Sequence, residues 1–126
     1  MDLFDLTGKV ALVTGATHGL GMAMAAGLGK AGATLVINGH SSQDKLDAAI
    51  ATYESNGLRA HGYLFDVTAE KAVETAVERI EREVGSVDIL VNNAGIIKRV
   101  PLLEMDLAEW EEVIRTDLTG VFVMSR

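Results

Sequence analysis

Cysteine is absent from the 126 residues. Disulfides, thiolate metal ligands and thiol nucleophiles are excluded together, which agrees with a reducing compartment and makes the cytoplasm the expected location. Positive charge is scarce: 11 Lys and Arg face 18 Asp and Glu, a formal net charge of −7 that offers no overall attraction to nucleic acid or an anionic membrane. Any anionic ligand must be held by local groups. No apolar run approaches the length needed to span a bilayer, and "MDLFDLTGK" opens with acids where a secretory signal has a basic region. Repeats, linkers and low-complexity tracts are missing as well. What is present, 48% hydrophobic against 23% charged residues, suits a folded core, and the length suits one domain over residues 1–126.

Two hydrophobic patterns alternate along the chain. "KVALVT" (9–14), "ATLVIN" (33–38), "RAHGYLF" (59–65) and "VDILVN" (87–92) read as strands. The first, second and fourth are almost continuously apolar, as in a parallel sheet covered on both faces. Leu46, Ala49, Ile50 and Tyr53, then Val73, Ala76, Val77, Ile80 and Val84, follow helical spacing. Gly32, Gly57 and Gly85 are placed to stop helices before the next strand. Ser42 and Thr68 are expected N-caps, and Asp106 with Glu109 has the form of a capping box. The order βαβαβαβα with short connections predicts a doubly wound α/β sheet.

"TGATHGLG" (14–21) follows the first strand and opens the first helix. Glycines there let the backbone turn tightly and let a phosphate approach unpaired N–H groups at a helix N-terminus. The spacing, Gly15-x3-Gly19-x-Gly21, differs from G-x-G-x-x-G, so the strand before and the helix after carry more weight than the glycines. A tight turn without a ligand is the plainer alternative.

With "FDVT" (65–68) after the third strand and "NNAG" (92–95) after the fourth, the chain resembles the short-chain dehydrogenase/reductase family. The stretches "LFDLTGKVALVTGATHGLGMAMA" and "NNAGIIKRVPLLEM" resemble its gluconate 5-dehydrogenase branch. The resemblance implies a Rossmann-like parallel sheet of order 3-2-1-4 that binds NADP or NAD where the winding reverses. It places the pyrophosphate on Gly15, Gly19, Leu20 and Gly21, with Thr17 and His18 between them. Asp66 and Val67 lie beside the adenine, and Asn93, Ala94 and Gly95 under the nicotinamide ribose, with Asn92 supporting the strand. Asp66 reads equally well as a strand terminator that helps cap the next helix.

The end of the second strand bears on which dinucleotide is used. A carboxylate there would hold a ribose 2′-OH and repel a 2′-phosphate, but the position carries Gly39. Ser41 offers hydroxyl and N–H donors, and His18 and His40 offer positive charge when protonated, which favours NADP. Asn38 serves a ribose hydroxyl equally well, so NAD stays open, and both histidines also read as solvated loop residues.

Lys98 and Arg99 follow the nicotinamide loop and precede Pro101, on an irregular segment at the mouth of the crevice. A cation pair there suits the carboxylate of a small sugar-acid substrate, although a surface Lys-Arg pair is commonly just solvated. The family's Ser and Tyr-x-x-x-Lys are not found in residues 1–126, because neither Tyr53 nor Tyr63 has Lys four residues on. Both tyrosines are expected away from the active loops. The family's Asn position carries Asp117, which accepts hydrogen bonds but cannot donate as an amide does. Its role is either orientation at the active site or an acid tolerated beside a loop N–H. The closing "TDLTGVFVMSR" reads as an unfinished helix. The expectation is the N-terminal portion of a longer homo-oligomeric oxidoreductase, a dimer or tetramer, with the fourth strand as an edge and "VFVM" (121–124) exposed. A non-catalytic dinucleotide-binding half-domain and a reductase of a deoxy sugar acid or 3-oxoacyl thioester are the alternatives.

Overall fold

A computed structural model describes residues 3–126. Met1 and Asp2, which begin the acidic opening noted above, lie outside the described residues. The predicted alternation is present: β1 (Val10–Val13), α1 (Gly19–Lys30), β2 (Thr34–Gly39), α2 (Gln43–Ser55), β3 (Ala60–Leu64), α3 (Glu70–Glu83) and β4 (Ile89–Val91). A 3-10 turn (Leu102–Glu104) then leads to α4 (Leu107–Ile114), a π-helical turn (Arg115–Thr119) and α5 (Gly120–Ser125). The strands are parallel in the order β3-β2-β1-β4, with Leu12 in register with Val36 on one side and Leu90 on the other.

The apolar strands split their side chains between two cores because successive residues point to opposite faces. Ala11, Val13, Leu35 and Ile37 pack with Ala25 of α1 and Leu46, Ala49 and Tyr53 of α2. Leu12 and Val36 pack with Tyr63 and with Val73, Ala76 and Ile80 of α3 on the other face. Covering both faces is what a parallel sheet requires, and the near-continuous apolar runs of β1 and β2 record it.

The helix ends follow the expected chemistry with one exception. Gly32, Gly57 and Gly85 lie past the helices at φ of 109°, 76° and 148°. Ser42 accepts from the Lys45 N–H, and Asp106 and Glu109 form a complete capping box. Thr68, however, is not an N-cap. Ala69 holds that position without a side-chain hydrogen bond, because the N–H and hydroxyl of Thr68 both donate to Asp66 in the preceding turn.

The C-terminal region is less bare than expected. Val123 and Met124 pack against the core on the α3 face, while Phe122 is 63% exposed under the Arg126 guanidinium. Leu102, Leu103, Leu107, Trp110 and Leu118 are exposed apolar side chains in the same C-terminal region, and β4 forms an edge of the sheet.

Two buried tyrosines brace the sheet from opposite faces. Burial pushes Tyr63 up to about 12, with a 2.6 Å hydrogen bond to Glu83 adding to the shift. Tyr53, 1% exposed, is pushed up to about 12 by burial, and its hydroxyl donates to the Ala16 carbonyl at 2.7 Å. Tyr53 is therefore not remote from the active loops: it reaches the glycine-rich loop from below. Because these folded-state pKa values lie above the unfolded value of about 10, the stability they contribute is complete below about pH 10 and is lost as pH rises through about 12. Tyr53→Phe is expected to cost about 1–2 kcal/mol near neutral pH, because the Ala16 carbonyl loses its donor. It should also lessen the alkaline loss. Urea denaturation of both chains at about pH 7 and about pH 11 measures this, and an unchanged alkaline dependence would contradict the assignment.

Candidate functional site

All four strands end at the same edge, and the sheet's winding reverses at β1, between β2 and β4. A cleft of about 370 Å³ opens there. Its floor is the glycine-rich loop. Gly15 adopts φ 62°, and a Cβ on it would come within 2.8 Å of the Ala94 Cα, so only glycine lets this loop lie against the β4 loop. Gly21 is equally intolerant, since its Cβ would collide with the Asn93 side chain and the Gly15 carbonyl. By contrast, a Cβ on Gly19 would meet open space.

The first turn of α1 faces this space unneutralised. His18 is its N-cap but gives no side-chain hydrogen bond, the turn carries no acid, and the Met22 N–H donates to the His18 carbonyl at 3.3 Å. The N–H groups of Gly19, Leu20 and Gly21 therefore have no acceptor within the helix, and the helix dipole adds partial positive charge. A phosphate fits that donor set.

Buried side chains join the strand ends around the cleft. Thr14, 1% exposed, accepts from the N–H groups of Asn93 at 3.0 Å and Ala94 at 2.9 Å. The Asn93 amide returns hydrogen bonds to the carbonyls of Thr14 (3.2 Å) and Gly15 (3.1 Å). Asn38 accepts from the Gly15 N–H and donates to the Gly39 and Phe65 carbonyls. At 2% exposure, its three hydrogen bonds commit both amide protons and one lone pair of Oδ1 to the protein's own backbone. Asn92 donates to Ser125 and ties the end of β4 to α5.

Asp66 closes the turn after β3 and lines the cleft. Burial raises its pKa, but the N–H (2.8 Å) and hydroxyl (2.7 Å) of Thr68, with the positive fields of His40 and Arg115, outweigh that and hold it below the ordinary carboxylate value. Both Thr68 bonds end on Oδ1, which leaves Oδ2 for a ligand in the cleft that Asp66 lines.

Of the residues expected on the cofactor side, all but Ser41 line the cleft. Lys98, Arg99 and Asp117 do not. Lys98 pairs with Glu112 at 3.3 Å, Arg99 has no ion pair among the described residues, and Asp117 accepts from the Ile96 N–H at 2.8 Å. Asp117 thus fastens the loop after β4 to the π-helical turn. Phe65, Ile96, Glu112, Arg115 and Thr116 line the cleft without having been expected there. The spacing of Glu112, Arg115 and Thr116 marks one helix face, but nothing in it says what that face meets.

Fold and site together define a doubly wound α/β protein whose switch-point cleft is headed by an uncapped helix N-terminus. The chain belongs to the short-chain dehydrogenase family, whose family model matches residues 9–126. It is 63% identical over 126 residues to the 2-dehydro-3-deoxy-D-gluconate 5-dehydrogenase of Formosa agariphila, covering 100% of this chain and 48% of that protein. With the gluconate 5-dehydrogenase of Gluconobacter oxydans it shares 44% identity over 125 residues, 99% of this chain and 48% of the relative. The crystal structure of a gluconate 5-dehydrogenase from Burkholderia cenocepacia in complex with NADP and tartrate superposes with a TM-score of 0.89 at 39% identity, over 98% of this chain and 48% of that one. The chain spans about half the length of these relatives.

The pKa of Asp66 is lowered on folding, so the stability it contributes is present above the unfolded value of about 3.9 and is lost as pH falls through the folded one. Asp66→Asn is expected to be less stable by about 1 kcal/mol near neutral pH, the difference between a charged and a neutral acceptor. That gap should close in acid. Denaturation midpoints from about pH 7 down to about pH 3 test it, and a constant gap would refute the charge assignment.

Proposed function

We propose that the chain is the dinucleotide-binding portion of an NADP- or NAD-dependent oxidoreductase that interconverts an alcohol and a ketone on a sugar acid. The observation that carries this reading is the open, uncapped N-terminus of α1 in a switch-point cleft whose glycines exclude any side chain from the approach. The names of the relatives support the substrate class. The 63% relative favours 2-dehydro-3-deoxygluconate, and the 44% relative keeps gluconate and 5-ketogluconate as the neighbouring choice.

In this reading the Gly19–Gly21 N–H groups hold the pyrophosphate, Asp66 Oδ2 faces the adenine, and the Asn93–Gly95 backbone supports the nicotinamide ribose. The dinucleotide, when bound, supplies hydride transfer. NADP is preferred because β2 ends in Gly39 with no carboxylate to repel a 2′-phosphate, His40 lines the cleft beside it, and the Burkholderia structure holds NADP. Arg99, exposed and without an ion pair among the described residues, takes the substrate carboxylate, while Lys98 is partly neutralised by Glu112.

The proton for the alkoxide has no donor among these residues. Tyr53 is buried on the Ala16 carbonyl and Tyr63 on Glu83, and both are pushed up to about 12. Turnover then needs a Ser and a Tyr-x-x-x-Lys from outside residues 1–126, since acid–base assistance contributes roughly 10²–10⁴-fold.

The 126-residue chain is expected to bind NADP without reducing 5-ketogluconate or 2,5-diketo-3-deoxygluconate, whereas the protein purified from its source turns over at least one of them. Arg99→Ala in that protein should raise KM for the sugar acid about tenfold or more, with KM for NADP unchanged. Dinucleotide binding by a source protein of the same 126 residues, with no turnover, would instead establish the half-domain that works by binding alone.

A further inference from the structure

We infer that Asn38 is a positioning residue of the cofactor site, acting on the dinucleotide through the backbone of Gly15 and Ala16 without touching it. The inference rests on the dinucleotide reading above. Asn38 stands next to last in β2, and its side chain and main chain capture consecutive groups of the glycine-rich loop. Oδ1 accepts from the Gly15 N–H at 3.0 Å, and the Asn38 carbonyl accepts from the Ala16 N–H at 3.3 Å. The Tyr53 hydroxyl fixes the Ala16 carbonyl from α2 at 2.7 Å. The two residues where the chain turns under the phosphate position are thus bound on their buried side.

The other end of the same amide works on the opposite wall. Nδ2 donates to the carbonyls of Gly39, at 3.0 Å, and Phe65, at 2.9 Å, and Phe65 is the residue before Asp66. One side chain therefore sets the distance between the glycine-rich loop and the carboxylate facing the adenine. The position needs one acceptor and two donors at the reach of a single methylene. Asp lacks the donors, Leu lacks both, and Gln is a methylene too long.

The division of N–H groups follows from this wiring. Those of Gly15 and Ala16 are consumed within the protein, so the loop is preshaped, and those of Gly19, Leu20 and Gly21 remain for the ligand. Without Asn38 the loop must be ordered at the moment of binding, and ordering one backbone residue costs roughly a factor of ten in affinity.

The test is calorimetric titration of NADP into the 126-residue chain, comparing the parent with Asn38→Leu, Tyr53→Phe and Ile80→Val. Ile80 lies in the core on the far face of the sheet, so its substitution lowers stability without reaching the loop. Asn38→Leu should raise the dissociation constant about tenfold or more, with the stoichiometry of the folded chain retained. Tyr53→Phe should raise it by a smaller factor, and Ile80→Val should leave it unchanged. A purely structural role gives the reverse pattern: a reduced stoichiometry with the parent's dissociation constant, which would overturn the inference. If Asn38→Leu does not fold, Tyr53→Phe decides, and a dissociation constant equal to the parent's counts against the preshaped loop. Tight parent binding matched by Asn38→Leu sinks this inference alone, whereas a parent that binds no dinucleotide sinks the functional reading with it.

Discussion

Where parallel strands stop, their last N–H and C=O groups lose the neighbouring strand, and all four strands here stop at one edge. An unpaired backbone group in that half-buried zone costs about 1–3 kcal/mol. The cleft exists because side chains supply the missing partners while leaving space between them. Thr14 and Asn93 close β1 onto β4, Asn38 closes β1 onto β2 and β3, and Asp66 closes the turn into α3. Among the described residues no buried side-chain nitrogen or oxygen lacks a hydrogen bond, so the side chains of this seam are all engaged. The N–H groups of the first turn of α1, which no acid or side-chain cap engages, are left facing the cleft.

The electrostatics are local for the same reason. A chain of net charge −7 does not attract a polyanion as a whole, yet an uncapped helix N-terminus with no acid in its first turn favours negative charge where it points. His40 and Arg115 add positive field on the side of Asp66, where they help keep the carboxylate ionised. Such a field over one helix turn serves a ligand that carries a few charges at a defined spacing.

The loop after β4 is held more loosely. Asp117 fixes its start through the Ile96 N–H, and the Lys98–Glu112 pair, exposed on both sides, contributes little to stability. Beyond it, Leu102, Leu103, Leu107, Trp110, Leu118 and Phe122 stand exposed. The hydrogen bonds thus concentrate at the strand ends around the glycine-rich loop, and thin out along the loop after β4.

Much of this was legible in the sequence, for physical reasons that differ between elements. Strands, helices and their order followed from apolar periodicity, because a doubly covered parallel sheet demands apolar residues on both faces of β1 and β2. Gly15 and Gly21 were legible because the absence of a side chain is itself the requirement where two loops touch. The caps at Ser42 and Asp106 are local, set within four residues, and were read correctly; the Thr68 cap failed because Asp66 competes for the same hydrogen-bonding groups. Polar side chains were the least readable. Whether Asn38 meets a ribose or a backbone amide, whether Tyr53 is remote from the loop or beneath it, and which face of α4 closes the cleft depend on residues 23, 37 and more positions away. Local sequence determined which groups could hydrogen-bond, and only the tertiary structure decided which of them found each other, since a buried amide takes the partners that the packed strands bring within about 3 Å of it.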